Sequence, residues 1–150
     1  MEPTIQIRRL WPDDTNLEMV GHLNDLIRHL SEKALTQYTE SSLREILSVP
    51  TTVLYIAEDL ITFKPVGTVT ICHTRTRSGW HGHIDDVVVL PEYRRQHIAD
   101  ALMDEAILLG EVLGWVNADL TSNKTREAAW TLYAKKKFYK PDTTYFRRDF

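Results

Sequence analysis

Scarcity defines this chain first. It has one cysteine, Cys72, so no internal disulfide can staple the fold, and a reducing, cytoplasmic setting is the expectation. No run approaches the roughly 18–20 apolar residues that a membrane span needs. The opening stretch MEPTIQIRRLWPDD also lacks the basic-then-apolar pattern of a secretory signal. Positive charge is not in excess: 18 Lys and Arg face 21 Asp and Glu, a net charge of −3. The general attraction to nucleic acid enjoyed by a basic domain is therefore missing, and any basic site must be local. Repeats, low-complexity tracts and linkers are absent as well, so residues 1–150 read as a single domain without a membrane or nucleic-acid partner.

What is present is ordinary globular material, 43% apolar and 26% charged, long enough to bury a real core. Thr4 to Leu10 alternates as an edge strand that ends at Trp11-Pro12, after which Asp13, Asp14 or Thr15 is placed to cap a helix. Leu17, Val20, Leu23, Ile27 and Leu30 recur at helical spacing, and Ser41 to Leu47 reads as a second short helix after Thr39. TVLYIAED from Thr52 and PVGTVTICHT from Pro65 are β-rich and form a hairpin, with a turn at 76–80 and a third central strand from His81 to Leu90. Ile98 to Leu113 is an amphipathic helix stopped by Gly114, and Trp115 to Leu120 is a strand reached by a parallel crossover. Lys124 to Lys136 is a further helix, and TTYFRRDF from Thr143 reads as a final strand.

The most informative stretch is IDDVVVLPEYRRQHIADA, residues 84 to 101. A β-branched strand passes through Pro91 into a short basic turn that opens directly into a helix. Backbone N–H groups of Arg95, Gln96, His97, Ile98 and Ala99 can converge there on a phosphate, at a helix end whose partial positive charge favours anions. That arrangement predicts a phosphorylated ligand.

These residues resemble the GNAT superfamily of acetyl-coenzyme A-dependent N-acetyltransferases. Its signature runs Arg or Gln, two residues, Gly, one residue, then Gly or Ala, and stands here as Arg94-Arg95-Gln96-His97-Ile98-Ala99. IDDVVV before it, LTSN and REAAWTLYAKKKF after it, and the β-rich tail follow the family's order along the whole chain. The resemblance implies an α/β fold of the α+β type: a mixed, mostly antiparallel sheet of six or seven strands flanked by about four helices. The sheet is expected to split near the end of the His81–Leu90 strand to admit the pantetheine arm. Two family glycines are replaced, by His97 in the signature and by Lys137 before the aromatic of Tyr133 to Phe138. Glycine at such sites commonly supplies positive φ or close approach to a ligand.

The activity implied is direct, sequential transfer of acetyl from acetyl-coenzyme A to a primary amine of a small molecule, without a metal. Two related acceptors are glucosamine 6-phosphate, which GHIDDVVV brings to mind, and a protein amine. A coenzyme-binding module without transferase activity is a different class of reading, motivated by the two lost glycines. The attacking amine must be neutral, yet an amine of pKa about 10.4 is only about one part in a thousand neutral near pH 7, a handicap of roughly 4–5 kcal/mol. Asp85 and Asp86 are the carboxylates available as base, and strand alternation sends them to opposite faces, Asp85 with His83 and Val87, Asp86 with Ile84 and Val88. Asp85 is preferred, with Asp86, a histidine or a water as alternatives.

Tyr133 is the family-matched acid for the departing thiolate, since a phenol donates a proton without competing as a nucleophile. The resemblance also assigns Val87, Val88 and Val89 to the coenzyme, their backbone pairing the pantetheine arm, and Arg94 through Ala99 to its pyrophosphate. Asn123 and Arg126 complete the candidates. Asn123 equally suits a helix-capping turn, and Arg126 a solvated first turn. His73, His81 and His83 form an imaginable metal triad, though lining of the acceptor cleft suits the latter two better. Cys72 has no paired base, Arg75 and Arg77 sit in a loop, and a homodimer is the default assembly.

Overall fold

The computed structural model describes residues 4–30 and 36–150. Its sheet has five strands in the order β1-β2-β3-β4-β5: β1 Ile5–Arg9, β2 Thr52–Asp59, β3 Lys64–Thr76, β4 Gly79–Val89 and β5 Trp115–Leu120. The first four pair antiparallel and β5 pairs parallel to β4, because helix α3 (Ile98–Leu113) carries the chain across the sheet between them. Helices α1 (Leu17–Arg28) and α2 (Glu40–Ser48) lie on the other side, and α4 (Glu127–Lys135) follows β5. No helix among the described residues is long and apolar enough to cross a membrane.

Both faces of the sheet are buried, which strand alternation makes possible: Val53 and Ala57 of β2 face α3, while Leu54 and Ile56 face α1 and α2. The α3-side core adds Val66, Val69, Ile71, Ile98, Leu102 and Met103, and the opposite core adds Leu23, Leu26, Leu43 and Leu47. Trp115 closes the α3 side by lying against two glycines. A Cβ at Gly82 would stand 2.2 Å, and one at Gly110 2.5 Å, from its ring carbons.

Three sequence expectations need correction. Asp13 and Asp14 form a short 3-10 turn with Pro12, where Asp14 accepts from the Trp11 N–H at 2.7 Å. Asn16 therefore caps α1 by accepting from the Met19 N–H at 2.8 Å. Thr39 caps α2 as its position implied, and Thr76 and Gly79 pair directly, so β4 begins at Gly79 rather than His81. The sheet stops at five strands because the tail from Thr143 is not a strand: residues 139–150 are exposed and lie outside any helix or strand.

Candidate active site

Pairing of β4 with β5 runs from Trp80 to Ile84 and ends at Leu120. Beyond it the two strands part, leaving residues 85–89 without a neighbour on that side, which is the split expected near the end of β4. A bulge sits at the same point. Thr70 opposes Asp85 but Thr68 opposes Val88, so Asp86 and Val87 together face one residue, and Asp86 takes the left-handed conformation, φ 51°.

The bulge overturns the expected alternation. Ile84 belongs to the α3-side core and Val88 to the opposite core, although residues four apart on a regular strand share a face. Asp85 and Asp86 consequently do not point to opposite sides, and both act on one group, the hydroxyl of Tyr38. Burial, then the Asp86 charge, push that phenol up to about 12. Burial also raises the Asp86 carboxyl above its usual range, with the Asp85 charge second. The buried Thr70 hydroxyl lies against both Tyr38 and Asp86 without a well-formed hydrogen bond. Asp85 is more exposed and accepts the Asp86 backbone N–H at 3.0 Å.

Tyr38 is a site residue that sequence reasoning missed. It precedes α2 in an irregular segment with no periodic signal, and is held there by Asn24 of α1, which donates to the Tyr38 carbonyl at 3.0 Å and accepts its N–H at 2.7 Å. The buried Asn24 among the apolar positions of α1 was the available clue. His29, also missed, lines the groove described next.

Asp85, Asp86, Val87, Asn123, Arg126 and Tyr133 line one small cavity of about 140 Å³ in the split. A larger groove of about 700 Å³ opens from it past Val87, Val88 and Val89 to Arg94, Arg95 and Ala99, walled by Arg126, Leu132 and Tyr133. A third cavity of about 330 Å³ adjoins it at Tyr93, His97 and Ile98. Burial raises the Tyr133 phenol, and nearby Arg126 opposes the rise.

Arg95 and His97 both have positive φ, 61° and 58°, so the turn before α3 folds back on itself. Among the described residues the N–H groups of Arg95, Gln96, His97, Ile98 and Ala99 find no acceptor in the chain. Five unspent donors beside a cavity make this turn a candidate anion cradle. The chain entering it is anchored twice: Tyr93 donates to Asp59 at 2.8 Å, and Arg94 Nε to the Val89 carbonyl at 3.2 Å. The His97 imidazole is 84% exposed and leans 3.5 Å from Asp100, leaving the turn open. The Gln96 side chain is exposed and lines none of these cavities, while Ile98 is buried in the core.

The remaining candidates separate. Asn123 Oδ1 accepts from the N–H and hydroxyl of Thr125, at 3.0 and 2.9 Å, a local turn ahead of α4 that does not cap it, since the N-cap is Arg126 without a side-chain hydrogen bond. His73 pairs with Gly82 on the α3 face, 5.2 Å from the Trp80 ring, whereas His81 and His83 face the other way, so the three imidazoles do not converge. His81 donates Nδ1–H to Asn117 at 2.9 Å, and His83 donates to the Asp119 carboxylate. With Asp85 they make a polar strip along the open face, opposite Thr74, exposed Cys72 and Thr70. Arg75 and Arg77 are exposed at the β3–β4 turn, away from the cavities.

Comparison with known proteins agrees with this geometry. The Acetyltransferase (GNAT) family pattern matches residues 22–138. Among solved structures, an acetyltransferase from Trypanosoma brucei is 23% identical over 98% of this chain and 100% of its own, with a TM-score of 0.78. An aminoglycoside acetyltransferase from an uncultured soil metagenomic sample is 20% identical, covering 97% and 96%, at 0.82. Glucosamine-6-phosphate N-acetyltransferase from Arabidopsis thaliana is 19% identical, covering 97% and 98%, at 0.77. A comparison with curated protein sequences found no match.

Proposed function

We propose, for a chain that belongs to the Acetyltransferase (GNAT) family, that it moves acetyl from acetyl-coenzyme A to the primary amine of a small, cationic molecule. The observation that carries this reading is the continuity of one groove from the unspent N–H groups of 95–99 to the pocket holding Asp86 and Tyr133. The family's two replaced glycines do not argue for a silent module. His97 and Lys137 retain positive φ, 58° and 68°, and the His97 ring stays out of the cradle.

The coenzyme, when bound, supplies acetyl as a thioester whose C–S bond breaks as the amine nitrogen bonds to the acetyl carbon. The chain's own residues then have three tasks. The cradle and Arg94 hold the pyrophosphate, and the unpaired 87–89 edge of β4 offers backbone groups to the arm. Asp86 takes the proton that the ammonium must lose, directly or through water, and its raised pKa suits a base working near neutrality better than an ordinary carboxylate. Tyr133, protonated well above neutral pH, donates to the thiolate. Asp86 thus replaces Asp85 as the preferred base.

Acceptor class follows from charge. The open face beside the pocket carries Asp85, Asp86 and Asp119 with His81 and His83, while Arg75 and Arg77 stand apart from the cavities, an arrangement suited to a second cationic group rather than a phosphate. Calorimetry with acetyl-coenzyme A, together with thiol release over a panel of aminoglycosides, polyamines, glucosamine 6-phosphate and peptides, tests the reading. Turnover is expected with polycationic amines. Binding without turnover on any amine would leave a coenzyme-binding module, and preference for the sugar phosphate would reverse the charge argument.

A further inference from the structure

Asp59, the last residue of β2, is a carboxylate only 3% exposed, and both of its oxygens are met by donors. Oδ1 accepts the Ile61 N–H at 2.8 Å and Oδ2 accepts the Tyr93 hydroxyl at 2.8 Å, across 34 residues of sequence. The Ile61 N–H, then the Tyr93 hydroxyl, hold the carboxyl below the usual carboxylate range, and the same hydroxyl contact raises the Tyr93 phenol. One group therefore remains an acceptor and the other a donor. The backbone of Asp59 is fixed as well, since its carbonyl accepts the Phe63 N–H at 2.7 Å where the β2–β3 hairpin turns.

Tyr93 closes the 3-10 turn Pro91–Tyr93, which joins β4 to the turn before α3. β2 and β4 both pair antiparallel with β3, on its two sides, so they run the same way and end at the same rim of the sheet. The phenol thereby bolts the chain leaving β4 to a strand that β4 itself never touches. Beyond it, the Tyr93 and Arg94 N–H groups are satisfied within the 3-10 turn, at 3.0 and 3.3 Å, and the open N–H groups begin at Arg95. Arg95 and His97 follow with φ 61° and 58°, a conformation that persists only where the surroundings hold it. Tyr93 also borders the cavity of about 330 Å³ beside that turn, with Arg95, His97 and Ala99.

We propose, on the acetyl-coenzyme A reading above, that Asp59 is a positioning residue for the coenzyme's pyrophosphate: through the Tyr93 hydroxyl it fixes the start of the 95–99 turn, and so sets affinity for the phosphorylated half of the coenzyme without touching it. An amide cannot do the same work. Both neighbours of the carboxylate are donors, whereas an amide offers one acceptor and one donor end, so in Asp59→Asn a donor faces a donor at Ile61 or at Tyr93. Once released, the N–H groups of 95–99 no longer converge in advance. Binding must then order them, which weakens affinity for the anion and leaves the chemistry at the far end of the groove as it was.

Calorimetry of the full chain with coenzyme A should show Kd raised roughly tenfold by Asp59→Asn and by Tyr93→Phe. The double variant should lose little more than either, because both act through one hydrogen bond. In thiol-release assays the KM for acetyl-coenzyme A should rise in Asp59→Asn while kcat and the KM for the amine stay within about twofold. S-acetylpantetheine, which keeps the arm and thioester but carries no phosphate, should be used equally well by wild type and variants. Should Asp59→Asn fail to fold, Tyr93→Phe, which removes one hydroxyl, carries the same test. Wild-type affinity in the variants overturns the proposal, and so does an equal loss with S-acetylpantetheine, the sign of a general structural role. A wild-type chain that binds no coenzyme A overturns the transferase reading and this one together, whereas equal binding by wild type and variants removes only Asp59 from its role.

Discussion

The backbone N–H of Phe138 donates to the carbonyl of Tyr133 at 3.0 Å, and the two rings meet edge to face with centroids 6.3 Å apart. Lys137 between them and the helix takes φ 68° and donates to Ala134 at 3.0 Å, so α4 ends in a Schellman arrangement with its apolar contact in place. The end of the helix is thereby clamped onto the residue assigned as acid. Tyr133→Phe keeps both contacts and removes only the hydroxyl. It should lower kcat by about 10²-fold or more while coenzyme affinity by calorimetry moves less than about twofold. An unchanged kcat would remove Tyr133 from that role.

His97 and Lys137 are held in a conformation that L side chains adopt at a cost of order 1 kcal/mol. His97→Gly and Lys137→Gly should therefore each raise the unfolding free energy by about 0.5–1 kcal/mol, read from urea midpoints at constant m-value. Glycine is destabilising at most other positions, so a fall in either midpoint would mean that the side-chain contacts, such as the one from His97 to Asp100, outweigh the backbone strain.

Asp86 couples activity to stability in opposite senses. Its folded pKa is raised, so its favourable contribution exists below the unfolded value and is lost as pH rises through the folded one. At neutral pH the charged form costs stability. Asp86→Asn should increase the unfolding free energy at pH 7, by an amount that shrinks as pH falls toward the ordinary carboxylate range. It should also cut kcat/KM by about 10²-fold and erase an acid limb lying above the ordinary carboxylate range. Should Asp85→Asn produce the larger loss, the base is Asp85.

Asp100 behaves the other way. The side-chain contacts of Lys135 and Lys136, at 3.0 Å each, hold its carboxyl down to about 2, tying α3 to α4. The stability it adds is present above the unfolded pKa near 4 and disappears as pH falls toward 2, an effect of about 1 kcal/mol after solvent screening. Comparing wild type with Asp100→Asn by thermal melts from pH 7 to pH 2 should give a gap that closes at the acid end. A gap constant with pH would assign the loss to packing.

Local chemistry explains what was legible beforehand. Helices α1 and α3 followed from apolar spacing, the Gly114 stop from its left-handed preference, and the 95–99 cradle from a strand that runs through a basic turn into a helix. The groove residues Val87, Arg94, Arg95 and Tyr133 came from motif order, and they do line connected cavities. The cap of α1 was misplaced by a few residues, because Asp14 turned its carboxylate back to Trp11 instead of forward to the helix.

By itself, then, the sequence determined the helices and the first five strands, their order, the turn before α3 and the two positions where side chains replace glycine, since each depends on neighbours a few residues apart. Only the tertiary structure decided which carboxylate is buried. A single bulge at Asp86 reverses the parity of β4 and sets both aspartates beneath Tyr38, a residue brought from 48 positions away by the fixing of its backbone to Asn24. Alternation cannot reveal an extra residue in one strand, because the mismatch exists only against the partner strand. The tail's lack of a β5 partner has the same origin, since a strand is defined by what pairs with it.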